Sequence, residues 1–404
     1  MPCRSQAYEC DRRVRRRSAW GPCLAALVLA GCAIPKPGSF YTQPVPAGAK
    51  PGTLISYQPF GHPPRNAQAF RILYVSTDQN NAAVPVSAVV YIPTAQAPYE
   101  GRNIVAWAHP TTGVAEGCAP SLDNETIGGL AFAQSIPGLD HFLSAGDIVT
   151  ATDYQGLGAP GVHPYLIGAL EGDDILDSIR AARQLPGAHA SRNVALWGHS
   201  QGGQAVLYAG QIAHDYAPRL HLVGIAAAAP PTDFPDLLTE PFKSNGGRLL
   251  AAYIYDTWSQ IYHVDVTSIV APPAVPVMRK AAAKCINALG EIIVAEHAAS
   301  RLNPVFLDHE PASTPPWPHL FSENSPGNAP PGAPLLIVQS KADKTVPAHY
   351  TDEFVNQACT RHESVNYLKL SDVSHMFTGY KSADQVAAWI AARFVNTQTP
   401  NTCP

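Results

Sequence analysis

Charge is scarce in this chain. Of 404 residues, 27 are Lys or Arg and 31 are Asp or Glu, 14% in all, against about 25% in an ordinary soluble protein. With 46% apolar residues, that scarcity excludes a disordered chain or a coiled coil and leaves enough material for a sizeable core. A basic surface is missing as well. The first 31 residues hold six Arg and two acidic residues, and the remainder carries 21 basic and 29 acidic side chains. A mildly acidic body has no electrostatic footprint for nucleic acid, so no nucleic-acid partner is expected. Long apolar runs are absent too: residues 23–30 fall well short of the ~20 that a spanning helix needs. No C-x-x-C pair occurs, and His309-Glu310 is not followed by a His four residues after His309. Thiolate zinc sites and H-E-x-x-H metal sites are therefore not expected, and no metal is assigned.

What is present begins with a leader. Arg12, Arg13, Arg15, Arg16 and Arg17 precede the short apolar stretch 23–30, the pattern of an export signal over residues 1–31. Leu29-Ala30-Gly31-Cys32 resembles the bacterial lipoprotein cleavage box. Cys32 would then be lipidated and attach the protein to a membrane as a cell-surface or outer-membrane lipoprotein. An ordinary export signal that contains a Cys is the alternative, and the protein would then be secreted. Residues 32–52, rich in Pro, Gly and Ala, read as a tether, and residues 53–404 as the body. Beyond Cys32, four cysteines remain: Cys118, Cys285, Cys359 and Cys403. In an exported chain this even number favours two disulfides, with three connectivities open.

The body alternates. Residues 69–75 (AFRILYV) and 85–92 (PVSAVVYI) read as an antiparallel pair, and 103–108, 147–151, 193–197, 222–228 and 335–339 as buried strands. Helical stretches lie between them, such as 173–184 and 204–216. Continuous apolar strands alternating with helices predict an α/β fold with a mostly parallel central sheet. Residues 230–330 break the rhythm with a helical stretch at 277–299 and Pro-rich sequence after it. An insertion this long reads as a helical cap or lid over the C-terminal edge of the sheet, where open α/β sheets place their ligands.

Gly198-His199-Ser200-Gln201-Gly202 carries the chemistry. It matches G-x-S-x-G, a strand-to-helix turn that lifts a serine hydroxyl above the sheet. The residues two before and two after the serine approach too closely for side chains, hence Gly198 and Gly202. The strand NVALW precedes the motif and the helical run GGQAVLYAGQIAHDYA follows it. A phosphate-binding loop is the competing reading of such a turn, but no G-K-[ST] is present. A serine needs a base and an acid to hold that base, in the chain order Ser, Asp or Glu, His. Asp343 sits in the loop after strand 335–339 and is preferred to Asp352 and Glu353, which fall in the next predicted helix. His349, His362 and His375 follow it. Position after the last strand selects His375, and His199 is expected to pack beside the turn. The oxyanion of an acyl-transfer intermediate needs N–H donors. Gln201 is expected to supply one and the loop His109-Pro110-Thr111-Thr112-Gly113 the other. Pro110 has no N–H, so Thr111 is the first choice and Thr112 the second.

These pieces together resemble the secretory lipases of the α/β-hydrolase superfamily, the group that includes the yeast lipase A enzymes. The likeness runs from about Pro51 to about Phe394 through VPVSAVVYIP, Cys118-Ala119-Pro120-Ser121, TDYQGLG, GHSQGG, SKADKTVP and SHMF. The loop HPTTG departs from the yeast members. The resemblance implies hydrolysis of carboxylic esters, including acylglycerols, with a lipid or other hydrophobic ester as substrate and no cofactor. It implies a cap inserted after the sixth strand, and it would pair Cys118 with Cys285 and Cys359 with Cys403. Competing expectations are a short-chain or aryl esterase, a serine peptidase on the same fold, and a lipid-binding module without turnover.

Overall fold

Strand order follows from which runs are apolar on both faces. The computed structural model describes residues 36–61, 63–122, 135–238, 244–303, 305–398 and 400–403, so the leader and Cys32 lie outside the described residues. Among the described residues, nine strands form one sheet: β1 (Leu54–Pro59), β2 (Ala67–Thr77), β3 (Ala83–Pro93), β4 (Arg102–Ala108), β5 (Ile148–Thr152), β6 (Ala190–His199), β7 (His221–Ala228), β8 (Leu335–Ser340) and β9 (Val365–Leu370). Their order is β1-β2-β3-β5-β4-β6-β7-β8-β9. β1 to β3 are antiparallel, and β3 joins β5 antiparallel. From β5 through β9 every pairing is parallel. The helices are α1 (Leu139–Ala145), α2 (Gly168–Ala182), α3 (Gln201–Tyr216), α4 (Phe234–Leu237), α5 (Asn245–Ile261), α6 (Val275–Ala282), α7 (Leu289–Ser300), α8 (Trp317–Asn324), α9 (Ala348–Thr360), α10 (Thr378–Lys381) and α11 (Ala383–Phe394).

Both faces of the sheet are covered, which is why its central strands are apolar throughout. Alternate residues Val105, Trp107, Ala195, Trp197, Ala226 and Val338 pack with Phe142 and Leu143 of α1 and with Val386, Trp389 and Ile390 of α11. α2 and α3 pack together on the sheet's other face. Between β7 and β8 lie α4 to α8, with a second apolar cluster built on Trp258, Trp317, Phe321, Tyr253 and Tyr255.

Three expectations change. β1 adds an antiparallel edge strand, so the insertion follows the seventh strand, not the sixth. The single helical stretch at 277–299 divides into α6 and α7. The break carries Cys285, bonded to Cys118, and Ile286, whose N–H donates to the Thr112 carbonyl at 2.8 Å. Both bonds draw the chain out of helical register. Finally, the stretch expected as a tether is docked on the body at Tyr41 and Gly52, while the rest of residues 36–51 is exposed or half-buried. Tyr41 is 2% exposed and its hydroxyl lies 2.8 Å from Ser121 Oγ. The Arg71 guanidinium lies 5.9, 5.3 and 5.2 Å from the rings of Phe40, Tyr41 and Phe60. Aromatic burial and cation–π attraction hold a segment whose Pro and Gly content alone suggested freedom.

The low surface charge conceals buried acids. Burial pushes Asp173 up to about 7, and Asp147, Asp153 and Asp177 up to about 6. Asp174 and Glu171 are raised well above the carboxylate range, again chiefly by burial. A raised acid binds its proton more tightly when folded. Its contribution is complete below the unfolded value near 4 and is lost as pH rises through the folded value. Burial lowers His109 to about 4 and His163 and His199 to about 3. Their contribution runs the other way and is lost as pH falls below about 6.5. Above that pH the acids act alone. The melting temperature should therefore fall as pH rises from about 6.5 through about 7, the folded value of Asp173, and less steeply in Asp174→Asn, which cannot ionise. A melting temperature that rises or stays level over this window in the wild type contradicts the assignment.

Candidate active site

β6 enters the site and α3 leaves it, with Ser200 between them at φ 55° and ψ −119°. That left-handed conformation costs energy for a residue with a Cβ. The Ser200 N–H donates to the Ala228 carbonyl of β7 at 2.9 Å, which helps to hold the turn. Two glycines are required by space. A Cβ on Gly202 would lie 1.9 Å from the Ala108 carbonyl oxygen of β4, and one on Gly198 2.1 Å from the Gly202 carbonyl oxygen. Neither neighbour is a side chain that can turn aside.

Asp343 lies in the loop after β8. Its Oδ1 accepts the N–H groups of Thr345 and Val346, both at 2.9 Å, and its Oδ2 lies 2.7 Å from His375 Nδ1. His375 follows β9, and its Nε2 lies 2.8 Å from Ser200 Oγ. The carboxylate accepts, so Nδ1 carries the proton and the Nε2 lone pair faces the serine hydroxyl. The three expected residues thus meet in one hydrogen-bonded line. Asp343 is 6% exposed, which strengthens its pull on the ring. Asp352 instead binds Lys369 Nζ at 2.7 Å and Tyr367, while Glu353 and His349 are exposed. His199 packs beside the turn. Its ring lies 5.3 Å from that of His375, and its Nε2–H donates to the His375 carbonyl at 2.9 Å. Burial keeps it neutral, pushed down to about 3, so it holds the His375 backbone and takes up no second proton.

Gln201 is the first residue of α3, so its N–H has no acceptor within the helix and points out of its positive end. Thr111, Gln201, Ser200 and His375 all line one cavity of 690 Å³. Its other walls come largely from the insertion, among them Phe234, Leu237, Leu249, Leu250, Ile254 and Ile292. Cys118–Cys285 ties that insertion to the body, and Cys359–Cys403 fastens the C-terminus. The arrangement can activate a hydroxyl beside an apolar, ligand-sized space. Sequence reasoning missed the side chains that hold Gln201 and Thr111 from behind: Glu171, His163 and Tyr165. Glu171 precedes the predicted helical stretch 173–184, so no local signal marked it as buried.

The fold is that of the α/β-hydrolases. Candida antarctica lipase A in its closed state superposes with a TM-score of 0.73 at 21% identity, covering 91% of this chain and 87% of that one. The secretory lipase family model matches residues 137–402, and the chain belongs to that family. It is a carboxylic-ester hydrolase and, as that family is a secretory one, an exported protein. A protein of Mycobacterium tuberculosis named "probable inactive lipase" is 25% identical over 89% of this chain and 82% of its own length. Lipase A of Moesziomyces aphidis is 30% identical over 43% of this chain and 37% of its own length.

Because the close approach at the turn is backbone against backbone, Gly202→Ala should destabilise the fold by about 3 kcal/mol or more. Chemical denaturation measures it. A stability within about 0.5 kcal/mol of wild type, the scatter of neutral substitutions, would show that β4 and α3 can separate freely.

Proposed function

We propose that this enzyme hydrolyses esters of long-chain fatty acids through an acyl-enzyme on Ser200. The single observation that supports the reading is the unbroken line Asp343 Oδ2–His375–Ser200 Oγ opening into an apolar cavity. Ser200 Oγ attacks the ester carbonyl as His375 Nε2 takes its proton. Asp343 holds the Nδ1–H tautomer and stabilises the imidazolium. The N–H groups of Gln201 and Thr111 receive the negative oxygen. His375 then protonates the departing alcohol, and water, deprotonated by the same nitrogen, releases the acid. The proton taken from water passes from His375 Nε2 to Ser200 Oγ as the acid leaves, so the enzyme's own groups end as they began.

The cavity walls favour aliphatic acyl chains over small ones. Leu289, Ile293 and Val294 of α7 are more than half exposed, on the helix that also lends Ile292 to the cavity wall. An apolar patch at that place suits an insoluble substrate. The intact Ser, His and Asp set argues against a binding module, and an apolar cavity argues against a peptidase. For location, we infer that Cys32 is lipidated and anchors the enzyme.

Turnover of p-nitrophenyl esters from acetate to palmitate should persist to the long chains, and Ser200→Ala should lower kcat by about 10⁴-fold or more. Activity confined to acetate would make this a short-chain esterase, and undiminished turnover in Ser200→Ala would remove the nucleophile assignment. Cys32→Ser should move the enzyme from the membrane fraction to the soluble one. An unchanged distribution contradicts the anchor.

A further inference from the structure

Behind Gln201 lies a buried polar group that ester chemistry does not itself require. Glu171 and His163 are 0% exposed, and Gln201 is 1% exposed. His163 Nδ1 lies 2.9 Å from the Gln155 carbonyl. A carbonyl only accepts, so Nδ1 carries the proton, and in a ring kept neutral by burial Nε2 must accept. Gln201 Nε2, 3.0 Å from that nitrogen, is the donor. The same amide nitrogen donates to Glu171 Oε1 at 2.6 Å. Both of its protons are used, so the side chain is held away from the cavity in one orientation.

Glu171 Oε1 also accepts the N–H of Leu166 at 2.9 Å. Leu166 has φ 58° and lines the cavity. One residue earlier, the Tyr165 hydroxyl lies 2.9 Å from Thr111 Oγ1. The short stretch from His163 to Glu171 therefore holds the side chains of both residues proposed to bind the oxyanion. Three polar side chains in a dry interior cost more than apolar ones of the same size unless their bonds serve a purpose. Packing alone needs no such set.

We propose that Glu171 and His163 are positioning residues for the oxyanion site, fixing the Gln201 side chain so that its N–H stays aimed where the carbonyl oxygen becomes negative. This rests on the reading of Ser200 as nucleophile and Gln201 as donor. Preorganised donors act on the transition state and hardly on the bound substrate, so loosening them should appear in kcat and not in KM.

The test uses the mature chain with Glu171→Leu, Glu171→Gln, His163→Phe and Gln201→Met. Active sites are counted with a fluorophosphonate, and kcat, KM, melting temperature and inhibition by an alkyl trifluoromethyl ketone, which forms an oxyanion adduct on serine, are measured for each. Glu171→Leu, His163→Phe and Gln201→Met should lower kcat per active site by about 10- to 100-fold, below the loss for deleting a donor outright. KM should stay within about twofold, and ketone affinity should fall by the same factor as kcat. Glu171→Gln keeps an acceptor for both N–H groups and should stay within about threefold of wild type. If Glu171→Leu does not fold, Gln201→Met decides, since it leaves the bond from Glu171 to Leu166 intact. Unchanged kcat per active site in the folded variants, with only a lower melting temperature, overturns the proposal and makes the cluster a structural one. Wild-type turnover without labelling of Ser200 overturns the nucleophile reading instead.

Discussion

The site depends on how closely α3 can approach β4. Gly202 sits against the Ala108 carbonyl, and Gly198 against the Gly202 carbonyl. This contact sets Ser200 in its left-handed turn at the carboxyl edge of the sheet. It also fixes what must surround the serine. β8 and β9 lie on one side of β6 and deliver Asp343 and His375 from their following loops. β4, on the other side, delivers the loop with Thr111. Parallel strands bring all four loops to one edge, which is why a set of residues spread from 111 to 375 can meet.

The insertion between β7 and β8 then converts a reactive edge into a pocket. Its apolar cluster is continuous with Tyr165, Leu166 and Leu170 of the body, and it has two attachments beside the reactive loop: Cys118–Cys285 and the bond from the Ile286 N–H to the Thr112 carbonyl. The chain spends few charges on its surface and several in its interior, where Asp153, Asp174 and Glu171 bind backbone N–H groups of neighbouring loops. Buried carboxyls with raised proton affinity act there as loop fasteners, at a cost that grows with pH.

Much of this was legible in the sequence because its signals are local or ordered. G-H-S-Q-G is a steric statement about one turn, and strand-then-loop position pointed to Asp343 rather than Asp352 and to His375 rather than His349, the pair that the fold places in line with Ser200. The antiparallel entry of β2 and β3 and the parallel core followed from alternating and continuous apolar runs. What escaped notice lacks a local signature. β1 is a six-residue edge strand, LISYQP, with a mixed burial pattern. Residues 36–52 dock through Tyr41 and Arg71, 30 positions apart in the chain, which Pro and Gly content cannot disclose. The split between α6 and α7 is imposed by a disulfide across 167 residues. His163, Glu171 and Gln201 meet across 30 and 38 positions, and their bonds depend on the packing of α2 against α3.

The most direct measurement is mass analysis of enzyme quenched during turnover of a slowly deacylating p-nitrophenyl ester. An acyl group on the peptide that contains Ser200, formed at the rate of the p-nitrophenol burst, is the result this account predicts. Steady release of p-nitrophenol with no adduct on that serine, or with an adduct on another residue, would contradict it.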